Sequence, residues 1–378
     1  MFKALNEILG IGNNKKEFTL FEESIGLENG QFKYYVDNNI LPTNSELLKI
    51  QNLYNVKVED IKIQQGIYDY KLKFKLANIE VPKLDSTVPI SKFKTNLGEL
   101  YQGDCLNVMR SIPDNSVDLV FADPPFNLNK EYKSGINDNL LHDEYLFWCE
   151  EWLEECVRIL KYGGSLFIWN IPKWNTYISN FLNHRLLFRN WIANDIKFSL
   201  PISGKLYPSH YSLLYYTKGK PKTFHPDRLA LETCRKCYNE IKDYGGYKNK
   251  LNPSGISLTD VWYDIPPVRH SKYKRREGAN ELSVKLLDRI IEMSSEENDL
   301  IFDPFGGSGT TYAVAELKNR RWIGVEIGPV DEIVDRFNNL EQDKDLLQKY
   351  QDNTNVLFPA KIKKERIKRN LWTDDDFK

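Results

Sequence analysis

Asp123-Pro124-Pro125-Phe126 sets a carboxylate, a rigid donor-free backbone and an aromatic ring in four consecutive positions. The stretch follows Val117-Asp118-Leu119-Val120-Phe121-Ala122, an apolar run that predicts a buried parallel strand. Two prolines end that strand and hold the backbone extended. In open α/β sheets, ligands bind beyond the carboxyl ends of the strands. The chemistry these groups suit is transfer to the exocyclic amine of a nucleobase. The amine nitrogen is a poor nucleophile because its lone pair is delocalised into the ring. Asp123 can accept one amine hydrogen and the Pro124 carbonyl the other, which orients the lone pair toward an electrophile. Phe126 can stack on the base. A strand end followed by a Pro-Pro turn is the other reading, and the tetrapeptide alone leaves both open.

Leu300-Ile301-Phe302-Asp303-Pro304-Phe305-Gly306-Gly307-Ser308-Gly309-Thr310-Thr311 reads as a second buried strand, a glycine-rich turn and a helix start. Glycines let backbone approach a ligand closely, and Asp303 could hold an ammonium group. Trp322-Ile323-Gly324-Val325-Glu326 is a further strand ending in an acid. Roughly 20 residues on, that is the ribose-hydroxyl position of nucleotide-binding sheets. A phosphate loop is the rival, but no lysine follows the glycines. A nucleoside with a cationic amino-acid end fits these features, which describes S-adenosylmethionine.

Together, DPPF and DPFGGSGTT resemble the amino-DNA methyltransferases of restriction-modification systems, over roughly residues 96–330. The catalytic motif precedes the cofactor loop, as in the circularly permuted β class, which methylates adenine N6 or cytosine N4. The resemblance implies a doubly wound, mostly parallel α/β sheet of seven strands. It implies catalytic roles for Asp123, Pro124, Pro125 and Phe126. Cofactor contacts fall on Asp104, Cys105, Asn280, Glu281, Asp303, Pro304, Phe305, Gly306, Gly307, Ser308, Gly309, Thr310 and Glu326. Asp104 also reads as a helix N-cap. In this family Asp before Pro-Pro goes mostly with adenine, so adenine is the expected base, with cytosine N4 as the alternative. Further alternatives are a DNA-binding regulator with an inert methyltransferase body, or an RNA substrate. Double-stranded DNA is the expected partner. A cognate restriction endonuclease and a homodimer are further partners.

The elements that must position these residues divide the chain. Residues 1–66 predict short helices, with Thr43 or Asn44 as a cap. They weakly resemble a helix-turn-helix fold, Glu28–Asn38 standing as recognition helix. Yet residues 1–60 hold 6 Lys against 9 Asp plus Glu, a net of −3, where groove-binding helices are usually basic. DNA contact and docking both remain open for this segment. Residues 67–97 predict a linker, with Tyr70–Leu76 alternating like a strand. Residues 98–340 form the catalytic domain. Asn127–Tyr132 predicts a loop over the base, and Tyr145, Trp148, Trp152 and Val157 a core stripe.

Residues 218–280 carry 14 Lys plus Arg against 7 Asp plus Glu, a net of +7. Tyrosines and loop residues are interleaved, which suits a target-recognition region at 218–276. Lys248, Arg269, Lys272, Lys274 and Arg275, with Lys130, are the expected DNA-binding residues. Residues 341–378 predict a C-terminal helix and basic tail. The whole chain has a net charge of −1, so nucleic-acid contact must come from local patches. Five cysteines, Cys105, Cys149, Cys156, Cys234 and Cys237, suggest a reduced, cytoplasmic protein. Cys234 and Cys237 have zinc-knuckle spacing, but a structural site needs four ligands and no metal is expected. No apolar run of about 18 residues predicts a membrane span.

Overall fold

The computed structural model describes residues 2–80, 89–128, 139–196, 203–204, 206, 208–239, 251–265 and 281–376. Its strands are β1 (Ile90–Lys94), β2 (Gly98–Gln102), β3 (Val117–Ala122), β4 (Leu160–Asn170), β5 (Leu187–Asp195) and β6 (His210–Thr217). They continue with β7 (Arg228–Leu229), β8 (Ile256–Ser257), β9 (Val261–Trp262), β10 (Leu300–Asp303) and β11 (Arg321–Glu326). Among the described residues, nine of these form one sheet in the order β1-β2-β11-β10-β3-β4-β6-β5-β9, while β7 and β8 pair separately. From β2 to β4 every pairing is parallel, and β6 then runs antiparallel to both β4 and β5. The seven expected strands are all there. An edge strand is added on each side, β1 antiparallel and β9 parallel to its neighbour.

The central strands are buried on both faces, as parallel sheets require. Alternation divides their side chains between two cores. Val120, Ala122, Leu166 and Ile168 pack with Tyr145, Trp152 and Ile178 of the helices His142–Ile159 and Pro172–Leu182. Leu119, Phe121, Phe167 and Trp169 face Leu287 and Ile291 of the helix Val284–Ser294 and Val314 of Thr310–Leu317. The sheet is thus covered on both sides, and its carboxyl edge holds the loops that carry chemistry. No helix among the described residues is long and apolar enough to cross a membrane.

The N-terminal helices close over their own core of Phe18, Phe21, Phe32, Leu47, Ile50 and Ile61. Gly26, at φ +72°, ends Lys15–Ile25, and Glu46 accepts the Thr43 N–H at 2.8 Å to start Asn44–Tyr54. The helix Gln31–Asn38, within the stretch Glu28–Asn38 that weakly resembles a recognition helix, packs on the catalytic body. Gln31 and Tyr35 are buried and hydrogen-bonded to Glu46 and to Tyr162 of β4, and the Gly219 N–H donates to Tyr34 Oη at 3.2 Å. On its exposed side Lys33 is paired with Asp37.

Two expectations for residues 67–97 are corrected. Tyr70–Leu76 is a helix, capped by Asp69, which accepts the Leu72 N–H at 3.0 Å. Over seven residues the Tyr/Leu/Phe/Leu alternation also satisfies i, i+4 spacing, and packing decides: Phe74 lies 5.3 Å from Phe147, and the Tyr70 N–H donates to Glu150 at 2.6 Å. Nor is the stretch only linker, because Ile90–Lys94 joins the sheet as β1. The C-terminal region forms two helices, Glu341–Gln351 and Ala360–Lys368.

Candidate active site

Val120 of β3 lies opposite Phe302 of the parallel strand β10. Asp303 closes β10 and Asp123 is the first residue beyond β3. The register sets Asp303 level with Phe121, so Asp123 leaves the same carboxyl edge two residues further along the neighbouring strand, about 4.8 Å away across the ladder.

The turn after Asp123 is held from outside. Tyr145 Oη donates to the Pro125 carbonyl at 2.7 Å, and Trp174 Nε1–H donates to the Phe126 carbonyl at 2.6 Å. The Pro124 carbonyl takes part in neither anchor. Phe126 is half-buried, 5.7 Å from Tyr211, which in turn lies 5.1 Å from Trp169. Asn127 takes a left-handed conformation, φ +50°. Its side chain exchanges two hydrogen bonds with the Leu140 backbone, at 2.8 and 3.0 Å, which ties Asn127 to the residues that lead into the helix His142–Ile159.

The second strand end is built around Tyr312. Its hydroxyl lies 3.0 Å from the Asp303 carbonyl and 3.1 Å from the Val325 carbonyl, and accepts the Val325 N–H at 3.0 Å. A Cβ at Gly306 would sit 2.8 Å from that hydroxyl and 2.9 Å from the Val325 carbonyl, so only glycine fits. Gly309, at φ +72°, starts the helix Thr310–Leu317. Asp303 is 2% exposed and its Oδ1 accepts the Phe305 N–H at 2.9 Å. Burial pushes its carboxyl up to about 7. Glu326 accepts the Gly307 and Gly328 N–H groups, each at 2.7 Å, and burial raises its pKa too.

Asp104 and Cys105 join the same edge. The Gly103 N–H donates to the Glu326 carbonyl at 3.0 Å, and Asp104 caps its helix by accepting the Leu106 N–H at 2.8 Å. Cys105 is buried in the core, which raises its thiol pKa. Glu281 is brought in through Arg336, a fully buried residue 3.6 Å from it. Arg336 also donates to Thr310 Oγ1 at 2.7 Å and the Ser308 carbonyl at 3.1 Å, while Asp343 anchors it at 2.8 Å. Pro304 is buried, and Phe305 turns toward Trp148 and Trp152, at 5.7 and 5.2 Å. Lys130, Lys248, Arg269, Lys272, Lys274, Arg275 and Asn280 lie outside the described residues. Cys237 is exposed and Cys234 half-buried. His225 Nε2 is paired with Glu296 at 2.9 Å, and no metal-binding cluster forms among the described residues.

Sequence reading missed Tyr312, Arg336, Tyr145, Trp174 and Tyr211. Each resembles a core or helix-surface residue along the chain. The one available signal was an arginine on the apolar face of the helix Asp331–Asn338, beside Ile333 and Phe337.

Residues 117–334 match the family of DNA methylases, and these bounds include both strand ends and Glu326. The chain belongs to that family. This DNA methylase is 50% identical over 360 residues to the type II methyltransferase M.BamHI of Bacillus amyloliquefaciens, covering 91% of this chain and 85% of that one. It is 34% identical over 245 residues to the DNA adenine methyltransferase YhdJ of Escherichia coli (strain K12), covering 63% and 81%. Among solved structures it is similar to PvuII DNA methyltransferase (cytosine-N4-specific), at 21% identity and a TM-score of 0.47, covering 68% of this chain and 94% of that one. It is therefore an amino-DNA methyltransferase of the adenine or cytosine-N4 type, as found in restriction-modification systems, with the catalytic motif ahead of the cofactor loop. Its methyl donor is S-adenosylmethionine. The residues fit that cofactor: a buried acid for an ammonium, a cradle that a Cβ would fill, and an acid at the next strand end for ribose hydroxyls.

Proposed function

We propose that this DNA methylase acts on the exocyclic amine of a base flipped out of duplex DNA at a specific sequence. The exit of Asp123 and Asp303 at one carboxyl edge, from neighbouring parallel strands, carries this reading. A base at the first strand end and a methyl donor at the second are brought within reach by one register. The amine of a paired base is inaccessible in the duplex, and flipping costs a few kcal/mol. Stacking on Phe126 contributes about 1–3 kcal/mol toward that cost.

Asp123 and the Pro124 carbonyl accept the amine hydrogens and turn the lone pair toward the methyl donor. Asp123 also takes up the proton the amine sheds. Asp303 holds the ammonium end of the cofactor, Glu326 its ribose hydroxyls and Asp104 its adenine. The cofactor supplies an activated methyl group. The protein supplies orientation and exclusion of water, without a covalent nucleophile. Residues 218–276 read the sequence, and the N-terminal helices dock rather than read DNA. A carboxylate at position 123 is a stronger acceptor for amine hydrogens than a hydroxyl, which favours adenine. Cytosine presents the same pair of hydrogens beside N3, and cytosine N4 is the second reading.

The test is methylation of duplex DNA in vitro, digestion to nucleosides and mass spectrometry. N6-methyl-2′-deoxyadenosine is the expected product. N4-methyl-2′-deoxycytidine would establish the second reading, and methylation at cytosine C5 or none at all would refute both.

A further inference from the structure

The C-terminal helix Ala360–Lys368 is fastened to the recognition region. Arg366 is fully buried, donating to the Trp372 carbonyl at 2.9 Å and to the Tyr238 carbonyl. Its guanidinium lies over Phe358 and Trp372, at 4.4 and 4.7 Å. Ile362 packs on Leu231, Leu357 and Phe358, and the Leu231 N–H donates to the Leu357 carbonyl at 2.9 Å. The helix is therefore packed and hydrogen-bonded onto Leu231 and Tyr238.

Those contacts use the inward face. Lys363 is taken up by Asp374 and Asp375, at 3.0 and 2.8 Å. Lys361, Lys364 and Lys368 remain, all exposed, at i, i+3 and i+7 on one face. They form no ion pair among the described residues. Three like charges within about 10 Å along a helix repel across roughly one Debye length. The macrodipole accounts for Lys368 at the helix end, but it opposes Lys361 in the first turn. Glu365 shares this face, at i+4 from Lys361 and i−3 from Lys368, but forms no ion pair among the described residues, so local pairing does not account for the stripe. Arg369 continues it, with its guanidinium 5.1 Å from the Tyr238 ring, and Arg235 and Lys236 are exposed on the adjoining turn.

We propose that Lys361, Lys364 and Lys368 bind phosphates of the duplex beside the target site and set the recognition region in register on it. This rests on the reading of residues 218–276 as that region. Charge complementarity and continuity with a segment of net charge +7 commit the stripe to duplex DNA.

The experiment compares the wild type with Lys361→Gln/Lys364→Gln/Lys368→Gln and with the corresponding triple arginine variant. Binding to duplexes with and without the methylated site is measured across salt concentrations. Three lost phosphate contacts should lower the slope of log Kd against log salt by about 2.7. Between roughly 50 and 200 mM salt, the wild type should lose about 40-fold more affinity than the glutamine variant. The loss should be alike for both duplexes, the arginine variant should bind as the wild type does, and kcat at saturating DNA and the methylated site should be unchanged. An unaltered slope in the glutamine variant would overturn the proposal and leave the stripe to an acidic protein partner. An equal loss in the arginine variant would also overturn it. If the wild type transfers no methyl group to duplex DNA, the function reading itself fails, which is a separate result.

Discussion

Phe302 stands opposite Val120 in the parallel ladder between β10 and β3, and this pairing brings Asp303 and Asp123 out of the sheet at one edge. Methyl donor and acceptor must meet within bonding distance, and a register slip would part them.

Asp303 predicts how cofactor binding responds to pH. Its carboxyl is raised to about 7 by burial, so the folded protein keeps a proton that the unfolded chain has already released. Its contribution to stability is therefore full below the ordinary value of 3.8 and is lost as pH rises through about 7. An ammonium partner requires the ionised form. S-adenosylmethionine affinity, measured by calorimetry, should weaken as pH falls below about 7, approaching tenfold per unit. Asp303→Asn should bind weakly with no such dependence. A flat profile in the wild type would contradict the assignment.

Tyr312 ties the ends of β10 and β11 together. Tyr312→Phe leaves the buried Val325 N–H without its acceptor, at a cost of about 1–3 kcal/mol, readable by urea unfolding. Cofactor affinity should fall several-fold, because Gly306 and Asp303 lose their common support. The rate at saturating cofactor should stay near that of the wild type. Unchanged stability and affinity would show that the hydroxyl positions nothing.

The clamp between the N-terminal helices and the body gives a further test. Arg185 is 3% exposed and holds Asp69 at 3.0 Å and Glu154 at 2.6 Å, while Lys62 reaches Asp69 at 2.7 Å. Arg185→Met leaves Glu154 without this partner and should cost about 3–5 kcal/mol. Lys33→Ala, on the exposed side of Gln31–Asn38, should leave stability and the methylated sequence unaltered. A changed methylation sequence in Lys33→Ala, read by sequencing modified DNA, would restore a DNA-reading role to that helix.

The parts legible in sequence were those with strong local chemistry. Apolar runs that end in an acid located β3, β10 and β11, and the glycines located the turn between β10 and the helix Thr310–Leu317. The docking of the N-terminal helices was not legible, because Gln31 and Tyr35 meet Tyr162 more than a hundred residues away in sequence. What failed was local pattern without length. Tyr70–Leu76 fits period 2 and period 3.6 alike, and only Asp69 and the neighbouring helix decide it. Arg336 and Tyr312 were not legible because their partners, Glu281, Asp343, Val325 and Asp303, lie far off in sequence or are backbone atoms.

The division of labour between the two strand ends is tested most directly by Asp123→Ala, with calorimetry and transfer measured on one preparation. Methyl transfer to duplex DNA should be abolished while S-adenosylmethionine binds with near wild-type affinity. Loss of cofactor binding in this variant, or transfer that persists, would contradict the account.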